Sequence, residues 1–110
     1  MSERIRKVNQ EIQRNLGEFF SEERKADNVF VTVTAVETNA DMRRATVWCS
    51  VIGATEAEAL KTLQAEKHGA QNYINSRLSM KYVPKLEFKI DHGGEYAAYI
   101  SEVIRKVNQS

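Results

Sequence analysis

Between Glu23 and Val29 the spacing of apolar residues switches from three or four to two. One regular element cannot satisfy both periods, so the chain must combine helix and sheet. Before the switch, Ile5, Val8, Ile12, Leu16, Phe19 and Phe20 form one stripe, which predicts a helix from Glu3 to about Glu23. Ser2 is placed to cap it, and Gly17 weakens it without ending it. Arg6, Lys7, Gln10, Gln13 and Arg14 fall on the opposite face. After the switch, Val29, Val31, Val33 and Ala35 share one face of a predicted strand, with Phe30, Thr32, Thr34 and Val36 on the other. Thr38-Asn39-Ala40-Asp41 supplies turn chemistry before a second strand, about Arg44 to Ile52. So short a connection predicts an antiparallel hairpin.

Gly53 ends that strand, and Thr55 with Glu58 has the spacing of a capping box. A helix follows with Ala57, Leu60 and Leu63, runs into Lys67-His68-Gly69, and restarts with Ala70, Tyr73, Ile74 and Leu78. This predicts two helical pieces joined at a break or kink, with Gly69 as the permissive residue. Pro84 closes the region and biases Val83 to an extended backbone. Leu86, Phe88 and Ile90 then alternate with Lys85, Glu87 and Lys89 as a third, half-buried strand. Beyond Asp91-His92-Gly93-Gly94, the residues Tyr96, Tyr99, Ile100, Val103, Ile104 and Val107 predict a C-terminal amphipathic helix. The expected architecture is one α+β domain over residues 1–110, with a three-stranded sheet and helices grouped on one face.

Composition excludes several classes. With 42% hydrophobic residues the chain is too apolar to be disordered. Sixteen Lys and Arg against fifteen Asp and Glu exclude a histone-like basic blanket but allow a local basic patch. No apolar run approaches the roughly 20 residues of a membrane span, and the first residues lack the apolar core of a secretory signal. The single cysteine, Cys49, has no disulfide partner and no zinc-ligand neighbours. These features set the expectation of a cytoplasmic monomer with no metal and no cofactor.

Enzyme signatures are absent: there is no P-loop, no dinucleotide glycine fingerprint and no ligand-like spacing between His68 and His92. Cys49 lies among apolar strand residues, where a thiol acts as a small hydrophobe rather than a nucleophile. No catalytic residue is therefore assigned. A helix-break-helix beside a three-stranded sheet is how type II KH domains hold a nucleic-acid backbone. Lys67, Arg77 and Lys81 belong to that region, and a helix start at Gly69 would offer free amides to phosphate. The plainer alternative is a solvated helix face whose terminal lysine favours the helix dipole. Trp48 should face away from the apolar side of its strand, with Phe30 on the same face, either as a stacking platform or as sheet-stiffening aromatics.

The sequence also resembles the bacterial ribosome-binding factor A family along nearly its whole length. Arg4-x-x-Lys7-Val8-x-x-x-Ile12-x-x-x-Leu16 is similar to that family's first helix. Val31-Thr32-Val33-Thr34-x-Val36-Glu37 with Asp41-Met42-x-x-Ala45-Thr46-Val47-Trp48-Cys49-Ser50 is similar to its hairpin. Val83-Pro84-Lys85-Leu86-Glu87-Phe88 with Asp91, then Ile100-Ser101-Glu102-Val103-Ile104, is similar to its last strand and helix. The resemblance implies a type II KH-like fold and a non-enzymatic assembly factor. Such a factor binds small-subunit ribosomal RNA late in maturation, acts in cold adaptation, and has a maturation GTPase and initiation factors as partners on the particle. Two departures stand out. The family's kink glycine aligns with His68, one residue before Gly69, and its Asp-Pro-Arg segment is replaced by a shortened Arg24-Lys25-Ala26-Asp27-Asn28 connection.

The RNA-binding residues expected on this reading are Lys67, His68, Gly69, Arg77 and Lys81 around the kink. Arg43 and Arg44 at the hairpin turn, and Arg4, Arg6 and Lys7 on the first helix, come second. The cations would anchor phosphates, which position a protein without reading sequence. A module that docks another protein through an exposed helix or sheet face is the alternative.

Overall fold

The computed structural model describes residues 2–23 and 29–91. The expected C-terminal helix, His92 and the Arg24–Asn28 connection lie outside the described residues. Helix α1 spans Glu3–Glu23, strand β1 Phe30–Thr38, strand β2 Arg44–Ile52, helix α2 Glu56–Arg77 and strand β3 Lys85–Ile90. The sheet order is β1-β2-β3, with β2 antiparallel to β1 and parallel to β3. A parallel return needs a crossover, and α2 is that crossover.

Ser2 caps α1, its Oγ accepting the Ile5 N–H at 3.1 Å. The α1 stripe of Val8, Ile12, Leu16, Phe19 and Phe20 is buried against the sheet and α2. Burial of each such side chain stabilises by about 1.5–3 kcal/mol, so the stripe outweighs the ~1 kcal/mol that Gly17 costs the helix. From α2 come Leu63, Ala70 and Ile74, and from the sheet Val33, Val36, Ala45, Val47, Cys49, Leu86 and Phe88. Phe20 meets Phe88 edge-on at 6.0 Å between centroids. Lys85 and Lys89 are exposed and Glu87 is half-buried, so β3 alternates as expected. Leu60, read as part of the apolar stripe of α2, is exposed.

Two expectations need correction. The break at Lys67-His68-Gly69 is absent, because α2 is one continuous helix from Glu56 to Arg77 and Gly69 has no positive φ. Gly69 instead lies beside α1. A Cβ built on it would sit 3.4 Å from Phe19 Cζ, so the missing side chain lets the two helices approach. The second correction concerns β1. Its register slips between Val33, opposite Cys49, and Ala35, opposite Trp48, leaving Thr34 as a bulged extra residue. Each residue after the bulge therefore changes face. Val33 and Val36 join the core, while Ala35 lies on the outer side with Trp48. Gln13 Nε2 donates to the Val33 carbonyl at 3.0 Å, and Thr38 Oγ1 donates to Asn9 Oδ1 at 2.6 Å, tying α1 to both sides of the bulge.

Candidate nucleic-acid interface

The hairpin turn fixes the first cation. Met42 adopts a left-handed backbone with φ 61°, unusual for a side chain of its kind, while that side chain packs on the core. Asp41 Oδ1 accepts the Arg43 N–H at 3.0 Å, and the Arg43 carbonyl accepts the Lys85 N–H at 2.9 Å. The turn is thus locked to the start of β3. The Thr55–Glu58 capping box forms as expected, and its hydrogen bonds hold the exposed Glu58 carboxyl below its ordinary range. At the other end of α2, the Leu78 N–H bonds to the Ile74 carbonyl at 3.0 Å and the backbone turns extended. Arg77, in the last turn, favours the helix dipole and places its guanidinium 4.5 Å from the Tyr73 ring centroid.

Two hollows flank residues 79–83. The larger, about 1260 Å³, lies between α1, the hairpin turn and the end of α2. Arg4, Lys7, Arg14, Arg43, Arg77 and Lys81 line it, with only Glu11 and Asp41 as carboxylates. None of these six cations has an ion-pair partner among the described residues. Like charges gathered without counter-charges destabilise a fold slightly, and they build the positive potential that attracts polyanions. The smaller hollow, about 760 Å³, lies between α2 and the chain entering β3. Lys67, His68, Lys81 and Lys85 line it with Gln64, Gln71 and Asn75, and no carboxylate does. His68 Nε2 sits 3.3 Å from Asn72 Nδ2.

The structure therefore brings together Arg4, Lys7, Arg43, Arg77 and Lys81, which the sequence scattered over three elements, and sets Lys67 and His68 in the hollow beside them. It does not bring in the rest. Arg6 pairs with Glu3 on α1, and Arg44 faces Glu87 at 3.6 Å on the outer side of the sheet. Gly69 is turned to Phe19 and lines neither hollow. Arg14, Lys85 and Tyr82 were not singled out from the sequence. Arg14 could have been, because it lies seven residues, about two turns, beyond Lys7 on α1.

Cys49 is fully buried in β2, and burial pushes its thiol up to about 12, which removes the thiolate a nucleophile needs. No group of three or more His, Cys, Asp or Glu among the described residues could hold a metal ion. Among the same residues no helix is long and apolar enough to cross a membrane. Trp48 is half-buried on the outer face with Lys89 Nζ 5.4 Å from its ring centroid. Phe30, on the same face, is exposed and pairs with Ile52 at the far end of the hairpin, so the two aromatics do not form a platform.

Among the described residues, two helices and a three-stranded mixed sheet of this topology, with cations gathered at one end, define a KH-like α+β domain. The sequence profile of Ribosome-binding factor A matches residues 4–104, so the chain belongs to the ribosome-binding factor A family. It is 32% identical over 111 residues to ribosome-binding factor A of Opitutus terrae, covering 99% of this chain and 91% of the relative. The crystal structure of ribosome-binding factor A from Thermus thermophilus superposes with a TM-score of 0.68 at 22% identity, covering 78% of this chain and 93% of that one. A Thermus thermophilus homology model, fitted into the cryo-EM map of a 30S complex of that factor, superposes with a TM-score of 0.63 at 24% identity. It covers 74% of this chain and 88% of that one. The last two likenesses bear on the fold.

Proposed function

We propose that this chain is a non-enzymatic assembly factor that binds small-subunit ribosomal RNA during late maturation of the small ribosomal subunit. The observation that carries the reading is the hollow between α1, the hairpin turn and α2, where six cations face two carboxylates in a chain of nearly balanced charge. Phosphates are the natural partner of such a surface, since each one neutralised releases condensed counterions. Membership of a family named for ribosome binding, together with a Thermus relative placed in a 30S complex, supports the small subunit as the particle. On this reading the protein acts in the cytoplasm as a monomer, and a maturation GTPase and initiation factors act on the same particle.

Sedimentation of cell extract tests the proposal directly. The protein should travel with free small subunits rather than with assembled ribosomes, and its release should rise steeply with salt. Deletion of the gene should slow growth in the cold and leave precursor small-subunit RNA. A protein that stays at the top of the gradient at low salt, with normal RNA processing in the deletion strain, would overturn the reading. Association that salt leaves untouched would favour the alternative of a protein-docking module.

A further inference from the structure

Tyr82 is the most exposed large hydrophobic side chain among the described residues, at 77%. An aromatic ring left in water gives up the stabilisation that burial would bring. Its setting is not that of a loose loop tip. Met80 and Val83 on either side pack against the core, and Pro84 is fully buried. Gln71 Nε2 donates to the Pro84 carbonyl at 3.1 Å. The chain at 80–84 thus turns Met80, Val83 and Pro84 inward and leaves Lys81 and Tyr82 outward on a pinned backbone, which lowers the entropy lost on binding. Lys81 Nζ lies 5.6 Å from the Tyr82 ring centroid.

The ring also stands at a boundary. Tyr82 lines both hollows, as do Met80, Lys81 and Val83, so this short segment is the wall between them. On one side lies the surface of six cations, and on the other the smaller hollow with three lysines, amides and no carboxylate. A volume of about 760 Å³ is in the range of sites that take a small organic group. A flat ring between two cationic surfaces matches one repeating chemistry, that of a nucleic-acid strand, with a base between successive phosphates. A base inside a duplex has no free face to offer, whereas an unpaired one does.

Resting on the RNA-binding reading above, we propose that Tyr82 stacks an unpaired base of the bound RNA, with flanking phosphates held by Arg77 and Lys81 on one side and by Lys67 and Lys85 on the other. The segment that joins α2 to β3 is then the element that distinguishes unpaired RNA from duplex. The amide of Asn75, whose Oδ1 already accepts from Gln71 at 3.1 Å, keeps its N–H donors for the edge of that base.

The test uses the full chain and two fluorescent RNAs with equal numbers of phosphates, one unstructured and one fully paired. Tyr82→Ala should weaken binding of the unstructured RNA by about tenfold, as loss of one stacked base does elsewhere. Its affinity for the duplex and its dependence on salt should stay as in the wild type. Tyr82→Phe, which keeps the ring, should bind as the wild type does. Tyr82→Trp should gain indole emission, over that of Trp48, that the unstructured RNA quenches and the duplex does not. Equal loss on both RNAs, or wild-type affinity of Tyr82→Ala for the unstructured one, would overturn the stacking role while leaving RNA binding intact. A wild-type chain that binds neither RNA would remove both readings.

Discussion

Gln71 holds the edge strand at Leu86. Its Oε1 accepts the Leu86 N–H at 2.8 Å, while its Nε2 donates to the Pro84 carbonyl two residues earlier. Among the described residues β3 pairs only with β2, so its other edge would present bare backbone groups there. One carboxamide on α2 therefore caps the start of that edge and fixes how the 79–84 segment leaves the helix.

Gln71→Ala should cost about 1–3 kcal/mol, because Leu86 is fully buried and its N–H would lose its acceptor. Urea unfolding measures this. Gln71→Glu keeps the acceptor and loses the donor to Pro84, so its cost should be smaller at neutral pH. A loss under ~0.5 kcal/mol for the alanine variant would mean that water replaces the amide at no cost.

Gly69 and Gly17 should respond differently to substitution. Nothing lies within 4 Å of a Cβ on Gly17, so Gly17→Ala should stabilise by up to about 1 kcal/mol through helix propensity. At Gly69 the same gain is offset by a Cβ 3.4 Å from the Phe19 ring, so Gly69→Ala should be close to neutral. Gly69→Val drives further atoms into that ring and should cost about 1–3 kcal/mol. Thermal unfolding of the three variants checks the order. Severe loss with Gly69→Ala would point to a special backbone conformation there, against the helical one found.

The buried thiol makes stability depend on alkaline pH. Burial raises Cys49 from 9.0 to about 12, so the folded chain keeps its proton where the unfolded chain releases it. That contribution is complete below pH 9 and is lost as pH rises toward 12. The stability of the wild type relative to Cys49→Ala should therefore fall over this window, by at most about 1.4 kcal/mol per pH unit. A difference that stays constant would show that the thiolate is tolerated inside the fold. Alkylation of native protein near neutral pH should also be slow and should accelerate on unfolding.

The cationic surface predicts a graded salt response. Arg77→Ala and Lys81→Ala should each lower the slope of log affinity against log salt by about one if each holds one phosphate. Both side chains are exposed, so unfolding midpoints should barely move. Arg6→Ala and Arg44→Ala serve as controls, because those side chains pair with Glu3 and Glu87 away from the hollow. Slopes that drop equally for all four would place the RNA contact over the whole surface.

Periodicity and capping made most of the elements legible from the residues alone. The α1 stripe, the hairpin strands, the Thr55–Glu58 box and the alternation of β3 are set by neighbours within a few residues, and all formed where the sequence placed them. The break did not form: α2 runs unbroken through Gly69, and in the sequence a glycine between two apolar stripes looks the same whether it breaks a helix or admits the Phe19 ring of another. The slip at Thr34 was invisible for a related reason: it is fixed by register with β2 and by the Gln13 bond from α1, not by the pattern of β1. The cationic hollow is the furthest from local reach. Arg4, Arg43 and Arg77 become neighbours only when α1, the hairpin turn and the end of α2 converge, and Tyr82 gains meaning only as the wall between two hollows. Short-range sterics and hydrogen bonding choose the elements. Long-range packing of their buried faces chooses which of the exposed side chains meet.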